Sequence, residues 1–169
     1  MGLFSSLTKI LIDSASGIKY VDNKNIENKA EEFILKYRYL LQKTYVHQEK
    51  VELVTAFIIT AIATAKSDGT FSKTEVSELI DFIIASLDED IISRDEALDL
   101  IKEFIDIPID MTSLANIAVN LAKRYGNSVI DTLRSFIIFI IYSDGEIHPK
   151  ELEFLDKWNK TVQIVKTHS

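Results

Sequence analysis

A ten-residue motif occurs twice in the chain, and this repeat limits the folds open to the sequence more than any other feature. Residues 66–75 read KSDGTFSKTE, and residues 142–151, 76 positions later, read YSDGEIHPKE. Both copies contain Ser-Asp-Gly, an apolar residue two positions after the glycine, and a glutamate seven positions after the aspartate. Self-similarity of this kind predicts two helix-loop-helix units related by pseudo-symmetry, which we place at residues 50–87 and 126–165.

Apolar residues recur at the helical period of 3.6 along nearly the whole chain, and only 5 glycines and 2 prolines interrupt it. The pattern predicts one all-α domain over residues 1–169, without a sheet. We expect a compact bundle of seven to eight helices in two pseudo-symmetric halves, with residues 1–49 as a helical N-terminal extension. The helices are predicted near residues 3–11, 25–44, 50–66, 72–87, 93–107, 112–125, 128–143 and 149–165.

Several helix ends carry recognisable signals. The run from Ser93 to Glu96 has the form of a capping box, in which side chains satisfy the free N–H groups of a first helical turn. Thr112 or Ser113 is predicted to begin the following helix. Gly126 is predicted to end it in the left-handed helical conformation, directly after cations that suit a helix C-terminus.

The run Phe136–Tyr142 consists of seven apolar, mostly β-branched or aromatic residues, a composition that by propensity alone favours a buried strand. The sequence offers no second strand with which it could pair. We therefore predict a helix that is buried on all sides at the centre of the bundle.

The acidic residues of the two motifs have two interpretations. In the first, Gly69 and Gly145 end one helix, Glu75 and Glu151 cap the next, and each segment serves only as a short helix connection. The aspartates do not fit that account. A negative charge in the last turn of a helix is unfavourable by roughly 0.3–1 kcal/mol, and the sequence places one there twice.

Asp68, Glu75, Asp144 and Glu151 are therefore the candidate metal ligands. If the repeat places them side by side, four carboxylates repel one another unless cations or protons neutralise them. Oxygen ligands suit Ca²⁺ and Mg²⁺, and a set this large favours Ca²⁺, with Mg²⁺ as the alternative. The spacing differs from that of an EF-hand loop. His148, three positions before Glu151, could add a Zn²⁺ ligand, but without a second histidine nearby we interpret it as a solvent-facing loop residue.

Composition excludes other kinds of site. The absence of cysteine rules out thiolate ligands and nucleophiles, and it fits a cytoplasmic protein. A net charge of −7 argues against nucleic-acid binding. No catalytic motif is present, so we expect protein partners rather than enzymatic activity. No apolar run approaches the roughly 20 residues of a membrane-spanning helix, which leaves the N-terminal helix as the one candidate for peripheral membrane contact.

The two Ser-Asp-Gly motifs, each between the end of one helix and the start of another, resemble those of the TerB family of tellurite-resistance proteins. A similar module occurs in a membrane-associated J-domain co-chaperone. The resemblance implies a helical bundle in two halves, with a negatively charged site at Asp68, Glu75, Asp144 and Glu151. It also implies a metal-binding module that acts through protein interactions in stress-resistance or membrane-associated complexes. A metal-dependent hydrolase and a metal-free interaction scaffold are the alternatives. The extension to about residue 50 and the strongly apolar Phe136–Tyr142 helix depart from the family pattern.

Overall fold

A computed structural model describes residues 17–69, 78, 81, 91–143 and 145–169 of the chain. Within these ranges the regular structure consists of helices and one short antiparallel pair of strands. The strands are β1 (Lys19–Tyr20) and β2 (Glu146–Ile147). The helices are α1 (Asn23–Gln42), α2 (His47–Ala65), α3 (Arg94–Phe104), α4 (Met111–Tyr125), α5 (Ser128–Tyr142) and α6 (Pro149–Thr167).

The mostly helical class predicted from the sequence is confirmed, but the predicted count of seven to eight helices is not matched by these six. The helix predicted at residues 3–11 lies outside the described residues. Most of the helix predicted at residues 72–87 does so as well, although Glu78 and Asp81 are described and are helical. None of the helices in the described ranges has the length and apolar character needed to cross a membrane.

The strand pair corrects the prediction of a protein without any sheet. Lys19 is paired with Ile147 and Tyr20 with Glu146. Each strand has only two residues, which is too short to give the alternating apolar pattern by which a strand is recognised in a sequence. The pair joins the segment before α1 to the loop between α5 and α6.

The predicted helix ends are correct at one position and need adjustment at two. Ser93 caps α3, since its hydroxyl oxygen accepts a hydrogen bond of 3.1 Å from the backbone N–H of Glu96. The residue that caps α4 is Asp110, because its carboxylate accepts the N–H of Ser113 at 2.7 Å. That hydrogen bond also lowers the pKa of the Asp110 carboxyl. Gly126 does end α4 with a positive φ of 95°, but its ψ of 165° lies outside the left-handed helical region.

Helix α5 occupies the centre of the described fold, where it contacts α1, α2, α4, α6 and β2. Phe136 and Ile137 have no exposed surface, and Phe139 is buried. The helix is not buried on all sides, however, because Arg134, Ile138 and Tyr142 are partly exposed. These three residues are spaced four apart, so they form one strip along the helix that its neighbours leave open.

An aromatic cluster holds α1, α2 and α5 together. The ring centroid of Phe33 lies 4.4 Å from that of Phe136 and 5.9 Å from that of Phe57, and Tyr37 stacks on Phe33 at 5.1 Å. Complete burial raises the pKa of the Tyr37 hydroxyl, because the charged form would lose its hydration. The cluster lies where α1, α2 and α5 meet, and the two motif loops begin at the C-terminal ends of α2 and α5.

Candidate metal centre

The first motif loop places Asp68 just beyond the C-terminal end of α2. The hydroxyl of Ser67 donates to the carbonyl of Thr64 at 2.6 Å, and the N–H of Gly69 donates to the carbonyl of Lys66 at 3.1 Å. Gly69 has a φ of 81°, which glycine adopts without the strain that a side chain would bring. This tight turn leaves the Asp68 side chain only 10% exposed.

The second motif loop repeats this geometry at the end of α5. The hydroxyl of Ser143 donates to the carbonyl of Ile140 at 2.7 Å, and the N–H of Gly145 donates to the carbonyl of Tyr142 at 3.0 Å. Gly145 has a φ of 82°, against 81° for Gly69. The serine and the glycine of the shared Ser-Asp-Gly sequence therefore make the same hydrogen bonds in both loops.

Glu151 and His148 meet at the start of α6. His148 is the N-cap, and its backbone N–H donates to a carboxylate oxygen of Glu151 at 2.9 Å. The fixed φ of Pro149 suits the first helical position. Glu151 is only 5% exposed, which is rare for a carboxylate and requires compensating partners.

These two loops bring Asp68, His148 and Glu151 together, although Asp68 precedes His148 by 80 positions. Each residue offers one ligand atom, and the three atoms lie within 4.8 Å of one another. The Nε2 atom of His148 is 4.0 Å from Oδ2 of Asp68 and 3.6 Å from Oε2 of Glu146. The nitrogen of His148 thus lies close to carboxylate oxygens, and a cation bound there would offset their negative charge.

A family model described as tellurite resistance protein TerB matches residues 28–169 of the chain. The chain belongs to the TerB family. Searches among curated proteins and among solved structures gave no match.

Of the four acids to which the TerB resemblance points, the described part of the chain brings Asp68 and Glu151 together. Glu75 and Asp144 lie outside the described residues. A single cluster of all four acids therefore stays a prediction.

His148 is the residue that the sequence interpretation undervalued. Its side chain is 27% exposed and lies between two carboxylates, so it is not a simple solvent-facing loop residue. The available signal was its position three residues before Glu151. That spacing places both residues at one helix start, but it cannot reveal that Asp68 arrives from the other loop.

Two substitutions of Glu151, made in the absence of metal, test its role as a helix cap separately from its role as a ligand. Glu151→Ala should lower the free energy of unfolding by about 1–3 kcal/mol in the presence of a chelator, because it leaves the part-buried N–H of His148 without its acceptor. Glu151→Gln keeps an amide oxygen as acceptor and should cost less than half as much. Urea unfolding of both variants measures the difference, with Glu153→Ala, an exposed glutamate on the same turn, as the control. Equal costs for Ala and Gln would show that the hydrogen bond contributes nothing.

Proposed function

We propose that this TerB-family protein is a divalent-cation-binding helical module, with Asp68, His148 and Glu151 as ligands. The observation that carries the proposal is the convergence of three ligand atoms within 4.8 Å from two loops that are far apart in sequence. Burial adds to it, since the protein keeps Glu151 and the side chain of Asp68 largely away from water. Acids that serve only to keep a protein soluble have no reason to be buried.

The donor set favours Zn²⁺ over the Ca²⁺ that the four acids alone would suggest. Imidazole nitrogen is a preferred ligand of Zn²⁺, whereas Ca²⁺ and Mg²⁺ take oxygen. In a tetrahedral zinc site with bonds of about 2.0–2.1 Å, neighbouring donor atoms stand roughly 3.3–3.4 Å apart. The distance of 4.0 Å between His148 Nε2 and Asp68 Oδ2 needs only a small side-chain rotation to reach that value.

Glu146 is the fourth candidate ligand in this proposal. Its Oε2 atom lies 3.6 Å from His148 Nε2, and its side chain is 47% exposed. An exposed carboxylate can approach or leave a cation without disturbing the core. A site with three inner ligands and one exposed ligand resembles the open coordination by which zinc sites admit water or a further ligand.

The cellular role that we propose is a cytoplasmic one in stress-resistance or tellurite-resistance complexes, or in complexes at the membrane, through protein partners. Support for this role comes from the TerB family match, whose name refers to tellurite resistance. The net charge of −7 supports protein rather than nucleic-acid partners.

Titration calorimetry tests the cation site directly. Zn²⁺, Mn²⁺, Ca²⁺ and Mg²⁺ are titrated separately into chelator-stripped protein, and we expect saturable Zn²⁺ binding with a stoichiometry near one. Loss of an outer-shell partner typically weakens metal binding by 10–100-fold, so loss of the ligand in His148→Ala should weaken Zn²⁺ binding by at least about 100-fold. His168→Ala removes an exposed histidine near the C-terminus and serves as the control.

The other outcomes of this experiment identify the alternatives. Tight Ca²⁺ binding that His148→Ala leaves unchanged would indicate an oxygen site built on the motif acids. No saturable binding of any of the four ions would contradict the proposal and favour the metal-free scaffold. Turnover of phosphoesters by the metal-loaded protein, lost in Asp68→Asn, would favour the metal-dependent hydrolase.

A further inference from the structure

We infer that residues 17–21 form a strap that positions Glu146 and His148 and thereby sets the cation affinity of the centre, an inference that rests on the proposed function. The strap precedes residue 28, where the match to the TerB family begins. A segment outside the family-matched residues would then control a site within them.

The strap contacts the loop that carries two of the candidate ligands along its whole length. Strand β1 pairs with β2, and beyond this pair the N–H of Val21 donates to the carbonyl of Gly145 at 2.8 Å. At the other end, Gly17 lies against Pro149. The strap therefore contacts this segment from Gly145 to Pro149, which is the first residue of α6.

The strand pair fixes which side chains of the loop face the site. Successive side chains of a strand point in opposite directions, so Glu146 and His148 share one face and Ile147 takes the other. Ile147 is 5% exposed and belongs to the core, while the Nε2 atom of His148 faces carboxylates. A slip of one residue would exchange these faces, and pairing with the strap opposes such a slip.

Gly17 shows how closely the strap approaches α6. A Cβ atom at this position would lie 3.0 Å from the Cγ atom of Pro149, a distance that requires one of the two to move. Its φ of 72° is also a conformation that residues with a side chain rarely adopt. Both observations identify Gly17 as a position where only glycine allows the observed contact.

A pair of substitutions at one position separates the strap hydrogen bond from side-chain packing. Val21→Pro removes the N–H that Gly145 accepts, whereas Val21→Ala keeps the N–H and removes most of the side chain. We expect Val21→Pro to weaken Zn²⁺ binding at least about tenfold relative to Val21→Ala, as the loss of an outer-shell partner does in other metal sites. Amide hydrogen exchange at residues 146–148 of the metal-free protein should be faster in Val21→Pro than in Val21→Ala.

The two measurements distinguish a failure of the strap from a failure of the proposed function. If the unmodified protein binds none of the four ions, the proposed function fails, and the effect of the strap on cation affinity fails with it. Faster exchange at residues 146–148 in Val21→Pro would then still show that the strap positions the loop, whereas unchanged exchange would overturn the positioning as well. If the unmodified protein binds Zn²⁺ and Val21→Pro binds it equally tightly, only the strap inference fails. Should circular dichroism show that Val21→Pro is unfolded, Gly17→Ala takes its place with the same expected weakening, because its Cβ atom would push against Pro149.

Discussion

Phe136→Ala is expected to lower the free energy of unfolding by about 3–5 kcal/mol, the range measured for truncation of buried aromatic residues. Phe136 has no exposed surface, and its ring lies 4.4 Å from that of Phe33 and 5.6 Å from that of Phe57, measured between centroids. The substitution leaves a cavity where α1, α2 and α5 meet. For a domain of this size, each kcal/mol corresponds to about 2–4 °C in melting temperature, so the loss should exceed about 6 °C.

Urea unfolding followed by circular dichroism measures this effect, with Leu35→Ala as the matched control. Leu35 is 70% exposed on α1, so its truncation should change stability by no more than about 0.5 kcal/mol. Phe136→Leu should fall between the two, because it fills part of the cavity. Equal stability of Phe136→Ala and Leu35→Ala would contradict the central position of α5.

Fold class could be predicted because the core helices carry strong local signals. A surface helix is apolar on one face only, so seven consecutive apolar residues, Phe136–Tyr142, do not fit one. Because no second strand is evident with which this run could pair, the sequence predicts a buried helix. The strip formed by Arg134, Ile138 and Tyr142 could not be foreseen, since which face stays open depends on where the neighbouring helices pack. For the same reason, a charged residue at Ile138 should be less damaging than one at Ile137, which has no exposed surface.

The candidate site was only partly predictable, for a related reason. The repeat pointed to Asp68 and Glu151, because an aspartate at a helix C-terminus breaks a local electrostatic rule. Spacing along the chain could not show that His148 faces an aspartate 80 positions earlier, since this contact depends on the packing of α2 against α5. The strap was missed because two-residue strands have no pattern that a sequence can display.

Equivalent loops need not have equivalent roles. Gly69 and Gly145 have nearly the same φ, and their N–H groups make the same hydrogen bond. The second loop, however, is also held by β1, and it alone contributes a histidine in the motif. The repeat therefore supplies a common pattern of hydrogen bonds. The second copy adds the nitrogen of His148, and the strap of residues 17–21 pairs with the loop of that copy. The histidine of the second copy is the reason that we propose Zn²⁺ rather than Ca²⁺.

Asp68→Asn is expected to abolish the stabilisation that Zn²⁺ gives to the unmodified protein. A ligand that binds only the folded state stabilises it by about 2.7 kcal/mol at a free concentration 100 times its dissociation constant. That corresponds to a rise of about 5–10 °C in melting temperature for a domain of this size. The amide of asparagine keeps the size of the side chain but lacks the charge that attracts the cation, so the rise should disappear.

The melting temperature without metal separates loss of a ligand from loss of structure. Asp68→Asn removes a negative charge from a helix C-terminus, which is favourable by roughly 0.3–1 kcal/mol and offsets the lost contact with His148. The variant in chelator should therefore melt within about 2 °C of the unmodified protein. Asp156→Asn is the control, because Asp156 is an exposed residue of α6 that pairs with Lys160, and it should preserve the full Zn²⁺ response. If the unmodified protein melts at the same temperature with Zn²⁺ and with chelator, Asp68 and Glu151 serve as turn and cap residues, and the metal-free scaffold becomes the better account of this protein.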